Sequence, residues 1–128
     1  EAQVSAQHAV AVTLLRGRAG LDEFSDAAVA DPQTIELRHR VAVEVDSGLP
    51  VGAAVLALEL SDGTVRSCRI DRARGDSDRP MSDREIEDKL RTLAAWGAPS
   101  VSIDPLIHLL WGLTECENAG SLAKLATP

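Results

Sequence analysis

The stretch Ala53-Ala54-Val55-Leu56-Ala57-Leu58-Glu59-Leu60-Ser61-Asp62-Gly63-Thr64-Val65-Arg66-Ser67-Cys68-Arg69-Ile70 decides the fold class. Ala54, Leu56, Leu58 and Leu60 fall on one face, the period of two expected of a half-buried strand. Ser61-Asp62-Gly63-Thr64 is a hairpin signal, because Asp-Gly supplies the positive φ angles that a tight turn demands. Val65 to Ile70 then returns as the partner strand. Upstream, Val41, Val43 and Val45 alternate with Ala42 and Glu44 and predict a further strand, broken by Ser47-Gly48-Leu49-Pro50. The three together predict an antiparallel meander.

Helical patterns lie on both sides of it. Ser5 to Arg16 reads as a largely buried helix, with Ser5 as N-cap and Gly17 as its stop. Gly20 to Phe24 reads as a turn into a short helical piece. Asp31-Pro32 opens another helix, with Asp as cap and Pro at the first helical position, running to about Arg38. Asp71 to Pro80 is a polar loop. Ser82-Asp83-Arg84-Glu85 is a capping box before Ile86, Leu90 and Leu93 at helical spacing. Glu85 and Lys89 are expected to pair at i,i+4, and Gly97 and Pro99 end the helix. Asp104-Pro105 repeats the Asp-Pro start, with Leu106, Ile107, Leu110, Trp111 and Thr114 as the apolar stripe. A last short helix is expected over Gly120 to Leu125. The class is α+β in two layers, a small antiparallel sheet flanked by helices.

Composition narrows the function. The 128 residues, 45% hydrophobic and 26% charged, amount to one globular domain. Phe24, Trp96 and Trp111 are the whole aromatic complement, so the core rests on Ala, Val, Leu and Ile. A net charge of −7 argues against nucleic acid, which needs clustered positive charge and stacking platforms. Cys68 and Cys116 follow neither a CxxC nor a zinc pattern and read as reduced thiols, Cys68 as a small core residue. Residues 1–20 lack the features of a signal peptide, and no apolar run approaches the roughly 18 residues of a membrane span. These readings predict a cytoplasmic protein with no membrane partner. The start at Glu1 rather than Met reads as an internal start or a processed chain, and a trimmed tag would look the same.

Few residues carry chemical promise. His39 and His108 sit in different elements without ligand spacing, so no metal is expected. Asp71, Asp76 and Asp78 lack the Gly and closing Glu offsets of a calcium loop; Gly75 reads instead as a positive-φ turn residue. Arg74-Gly75-Asp76 spells an adhesion tripeptide by chance. Arg66 and Arg69 point to opposite faces of a strand. Arg72 and Arg74 lie on the following loop, where a guanidinium suits a carboxylate and a solvated surface is the plainer alternative. Ser5 reads as a helix cap, and a helix N-terminus beside a cleft also attracts an anion.

Two stretches carry a family resemblance. Val4-Ser5-Ala6-Gln7-His8-Ala9-Val10-Ala11-Val12-Thr13-Leu14-Leu15-Arg16-Gly17 resembles the pattern F-S-x-x-[YH]-A-V-A-x-x-L-x-x-G of the 2-methylcitrate dehydratase and cis-aconitate decarboxylase (MmgE/PrpD) family. Arg72 to Asp83, with Glu85 and Lys89 downstream, resembles that family's P-x-G-D-P-x-N-P-[LM]-S-x-x-E-x-x-x-K segment. The order and spacing of the two, with Asp62-Gly63 between them, extend the resemblance over nearly the whole chain. It is weakest after Pro99.

The resemblance implies an enzyme that combines a large helical domain with a smaller α+β lid and works in the cleft between them. It implies proton abstraction next to a carboxylate of a small di- or tricarboxylic acid, with no cofactor, in a homodimer. Residues 1–98 would be the lid and 99–128 a helical tail returning to the large domain, which carries the main catalytic residues. The chain alone would be inactive. His8 stands where the decarboxylase branch has a cleft-facing Tyr, and it is the candidate catalytic residue. Ser5, Arg72 and Arg74 are the candidate substrate contacts. Val4 replaces the family's Phe, a change of core size. The rival reading is a stand-alone binding or regulatory module, or one half of a split enzyme.

Overall fold

The computed structural model describes residues 4–127. The chain forms two compact units, Glu1–Gly48 and Leu49–Pro128. Across them the described elements are helices and one two-stranded antiparallel sheet, so the class is α+β.

In the first unit, α1 spans Ala6–Arg16. Its expected cap is in place: Ser5 Oγ accepts the His8 N–H at 3.2 Å. Gly17 closes the helix by donating its N–H to Thr13 O at 2.8 Å. A 3-10 turn, Asp22–Phe24, leads into α2, Asp26–Ala30, and then α3, Pro32–His39. α1 packs on α3, and α2 packs on both α3 and the turn. The buried face of α1 is His8, Ala11 and Val12, the i, i+3, i+4 stripe of an amphipathic helix. Ala28 and Thr34 complete this small core. Thr34 satisfies its hydroxyl by donating to Asp31 Oδ2 at 2.8 Å. Leu15 continues that stripe beyond the packed part, and both it and Leu14 are exposed.

The strand expected over Val41 to Val45 does not form. The Val41 N–H closes the end of α3 on Arg38 O at 3.2 Å, and Val43 and Val45 are exposed. Alternation creates a strand only where a neighbour supplies the ladder, and among the described residues none does.

The second unit opens on the hairpin. β1, Ala54–Glu59, pairs antiparallel with β2, Val65–Ile70, in a register that sets Leu56 opposite Cys68 and Leu58 opposite Arg66. The sheet therefore has two strands, not three. Its turn also differs in type. Gly63 has φ +80°, but no non-glycine residue has positive φ among the described residues. Asp62 is thus outside the left-handed region. The Gly63 N–H bonds to Leu60 O, and the Leu60 N–H bonds to Thr64 O, both at 2.9 Å. This is the longer connection, closed by one left-handed glycine. β2 is exposed along its whole length. Cys68 is exposed with it and is not a core residue.

α4, Asp83–Gly97, starts at the expected capping box, with Ser82 and Glu85 bonded reciprocally. The expected Glu85–Lys89 pair is absent among the described ion pairs. Glu85 Oε2 instead accepts from the Ser82 N–H (2.9 Å), the Ser82 hydroxyl (2.6 Å) and Arg74. α5, Ile103–Trp111, begins before the expected Asp104, with Ser102 as N-cap. Asp104 Oδ1 accepts from Arg91 Nε at 3.0 Å rather than capping. A 3-10 turn, Leu113–Glu115, precedes α6, Gly120–Leu125, which packs on α5.

α5 is joined to α4 by polar contacts as well as packing. Arg91 reaches Asp104, Asp88 and Glu87, and Trp111 Nε1 donates to Glu87 Oε1 at 2.9 Å. Of the α5 stripe, Ile107 is buried, Leu106 half-buried, and Leu110 and Trp111 exposed. α4 buries no residue. Among the described residues no helix is long and apolar enough to cross a membrane.

Candidate functional site

His8 lies at the third position of α1, and its ring is fully buried. Nε2 is 2.8 Å from the main-chain carbonyl of Glu23. A carbonyl only accepts, so Nε2 carries the hydrogen and donates. The Phe24 ring meets the imidazole edge to face, with centroids 5.1 Å apart and planes at 64°. Nδ1 is buried and makes no hydrogen bond among the described residues. The ring thus offers one uncommitted polar atom, in a place closed to solvent.

Beside it lies a polar group that the sequence pattern did not single out. The Glu23 carboxylate is buried, accepting the Gly20 N–H at 2.9 Å and Arg18 Nε at 3.0 Å. Burial alone would raise its pKa, but those two donors outweigh it and hold the carboxyl below the ordinary glutamate value. Gly20 fits because a Cβ there would stand 3.3 Å from Glu23 Oε2. The only sequence signal for this arrangement was an Arg five residues before a Glu, across a glycine turn.

Ser5 belongs to the same unit and shares the N-terminus of α1 with His8. Its hydroxyl is engaged twice, accepting the His8 N–H and donating to Gln7 Oε1 at 3.2 Å.

Arg72 and Arg74 lie on the 71–82 loop of the second unit, and each faces its own carboxylate. Arg72 Nε donates to Asp78 Oδ2 and its Nη1 to Val51 O, both at 3.1 Å. Arg74 Nη2 donates to Glu85 Oε2. The Ser82 hydroxyl and N–H, with Arg74, lower the Glu85 pKa to about 2. The two guanidinia therefore hold the loop to itself, to Val51 and to α4, each through its own partners. Gly75 takes the expected positive φ, +93°. Asp76, below its ordinary value chiefly through the Asp78 N–H, fixes the loop tip. Among the described residues no group of three or more His, Cys, Asp or Glu side chains is placed to hold a metal ion.

Comparison with known proteins supplies the class. The model of the MmgE/PrpD C-terminal domain matches residues 1–113, and the chain belongs to the MmgE/PrpD family. It is 28% identical to a cis-aconitate decarboxylase of Mus musculus, over 98% of this chain and 26% of that protein. It is 26% identical to a cis-aconitate decarboxylase of Homo sapiens, over 98% of this chain and 27% of that protein. The chain spans about a quarter of the length of the curated relatives it matches.

Proposed function

We propose that this chain is the lid-bearing C-terminal part of a cofactor-independent lyase or isomerase that acts on small di- or tricarboxylic acids. The observation that carries the reading is similarity to two cis-aconitate decarboxylases along 98% of the chain. The physical state of the second unit supports it. Leu93, Trp96, Leu110, Trp111 and Leu113 are all exposed, apolar side chains that a covering domain would take out of water. In this reading, residues 1–98 form the lid, 99–128 form a tail against a large helical domain of the same enzyme, and the whole enzyme is a cytoplasmic homodimer.

The chemistry is proton abstraction next to a carboxylate, which needs a base within hydrogen-bond reach of the carbon. His8 enters as a group that positions substrate or shuttles a proton through Nδ1. Because the ring is sealed by Phe24 and tied to Glu23 O, that role requires the 17–24 segment to open. Ser5, Arg72 and Arg74 would contact substrate carboxylates only by exchanging the partners they now hold. The reading is tested by incubating the full-length protein in D2O with citrate, 2-methylcitrate and cis-aconitate and following deuterium uptake by NMR. Uptake at a carbon next to a carboxylate supports it. No exchange and no product with any of the three acids refutes it.

A further inference from the structure

We infer that Arg79, rather than Arg72 or Arg74, is the residue of the 71–82 loop that grips a substrate carboxylate. The inference rests on the polycarboxylate reading above and names a contact within it.

The argument is an account of where each charge goes. Arg69 is paired with Asp71 at 2.7 Å, Arg72 with Asp78 at 3.1 Å, and Arg74 with Glu85. Asp76 has turned its Oδ1 to the Asp78 N–H at 3.0 Å and the Ser77 hydroxyl at 3.3 Å. The loop's acids are thus committed. Arg79 makes no ion pair among the described residues, and its guanidinium spends one donor, from Nη1 to Arg72 O at 3.3 Å. A carboxylate arriving at Arg72 or Arg74 meets a charge that Asp78 or Glu85 already neutralises. At Arg79 it meets an unbalanced charge, and the N–H groups not bonded to Arg72 O keep the fork that suits bidentate capture.

The position is also held in place. The Arg79 N–H donates to Asp76 O, and Arg79 O accepts from the Gly75 N–H, both at 2.9 Å. Pro80 fixes the next φ. A guanidinium on an already ordered backbone loses less conformational freedom on binding than one on a free loop. On a chain of net charge −7, an anion needs such a locally unbalanced cation.

The test uses the full-length enzyme with Arg79→Gln, Arg79→Lys, Arg72→Gln and Arg74→Gln, each assayed for kcat, KM and thermal midpoint. Arg79→Gln should raise KM by about tenfold or more, the size of a lost charge-assisted contact, with kcat and midpoint little changed. Arg79→Lys should restore part of that loss. Arg72→Gln and Arg74→Gln should lower the midpoint. An unchanged KM in Arg79→Gln overturns the inference and leaves Arg79 a solvated side chain. If wild type turns over no acid, the parent reading fails, and calorimetric titration with citrate decides this one separately. Equal citrate affinity, or none, in wild type and Arg79→Gln overturns it; weaker binding by Arg79→Gln supports it.

Discussion

His8 Nε2 donates to the main-chain carbonyl of Glu23 across 2.8 Å, tying the third residue of α1 to the 3-10 turn that follows it. The bond fixes the turn from within, while the Glu23 side chain fixes it from the other end through Gly20 and Arg18. Glu23 thus serves both ends of this short segment.

His8→Ala should therefore destabilise the fold by about 2–3 kcal/mol, from a lost buried ring and a stranded carbonyl. If His8 also moves protons, turnover per folded molecule should fall by about 10²-fold, and His8→Tyr should recover part of it. Denaturant melts and steady-state kinetics on the full-length enzyme separate the two effects. Full turnover by the folded His8→Ala enzyme would leave His8 a packing residue.

The hairpin gives a second expectation. Gly63 sits at φ +80° with no atom within 4 Å of a built Cβ, so only backbone strain opposes a side chain there. Gly63→Ala should cost about 1–2 kcal/mol, read as a lower unfolding midpoint. Asp62→Ala should also destabilise the turn, because the Asp62 carboxylate accepts the Thr64 N–H at 2.8 Å.

Acid should act on the second unit through Glu85. Its pKa is lowered to about 2 in the fold, from 4.5. The stability it contributes is then fully present above about pH 4.5 and is lost as pH falls toward 2. Ser82→Ala, which removes the cap, should flatten that acid limb and cost about 1 kcal/mol at neutral pH. Because the pair with Arg74 is partly exposed, added salt should shrink the effect. Midpoints measured from pH 2 to 7 at low and high salt check both points.

Trp111 reports whether α5 stays on α4. In a Trp96→Phe background, breaking its bond to Glu87 (2.9 Å) with Glu87→Ala should red-shift Trp111 emission. It should also loosen Arg91, whose charged form Asp104 and Glu87 both favour. An unchanged spectrum would show that packing around Ile107 and the Arg91–Asp104 pair hold the helix without this bond.

The sequence carried the elements whose causes are local. The Ser5 cap, the Ser82–Glu85 box, the Pro32 start and the Gly120–Leu125 helix each depend on a few adjacent residues. It misled where the outcome depends on a partner. Val41–Val45 alternates like a strand but meets no ladder among the described residues, and Cys68 reads as core but lies on an uncovered strand. The candidate site divides the same way. The family resemblance picked out His8, the helix start picked out Ser5, and the local basic run picked out Arg72 and Arg74. Only the fold shows that Asp78 and Glu85 already occupy the two arginines, and that Glu23 is buried beside His8.

The most direct measurement compares product formation from cis-aconitate, citrate and 2-methylcitrate by the full-length protein and by these 128 residues alone. The account predicts enzyme-like turnover of at least one acid by the full-length protein and none by the chain. Turnover by the pure chain, or none by either, would contradict it.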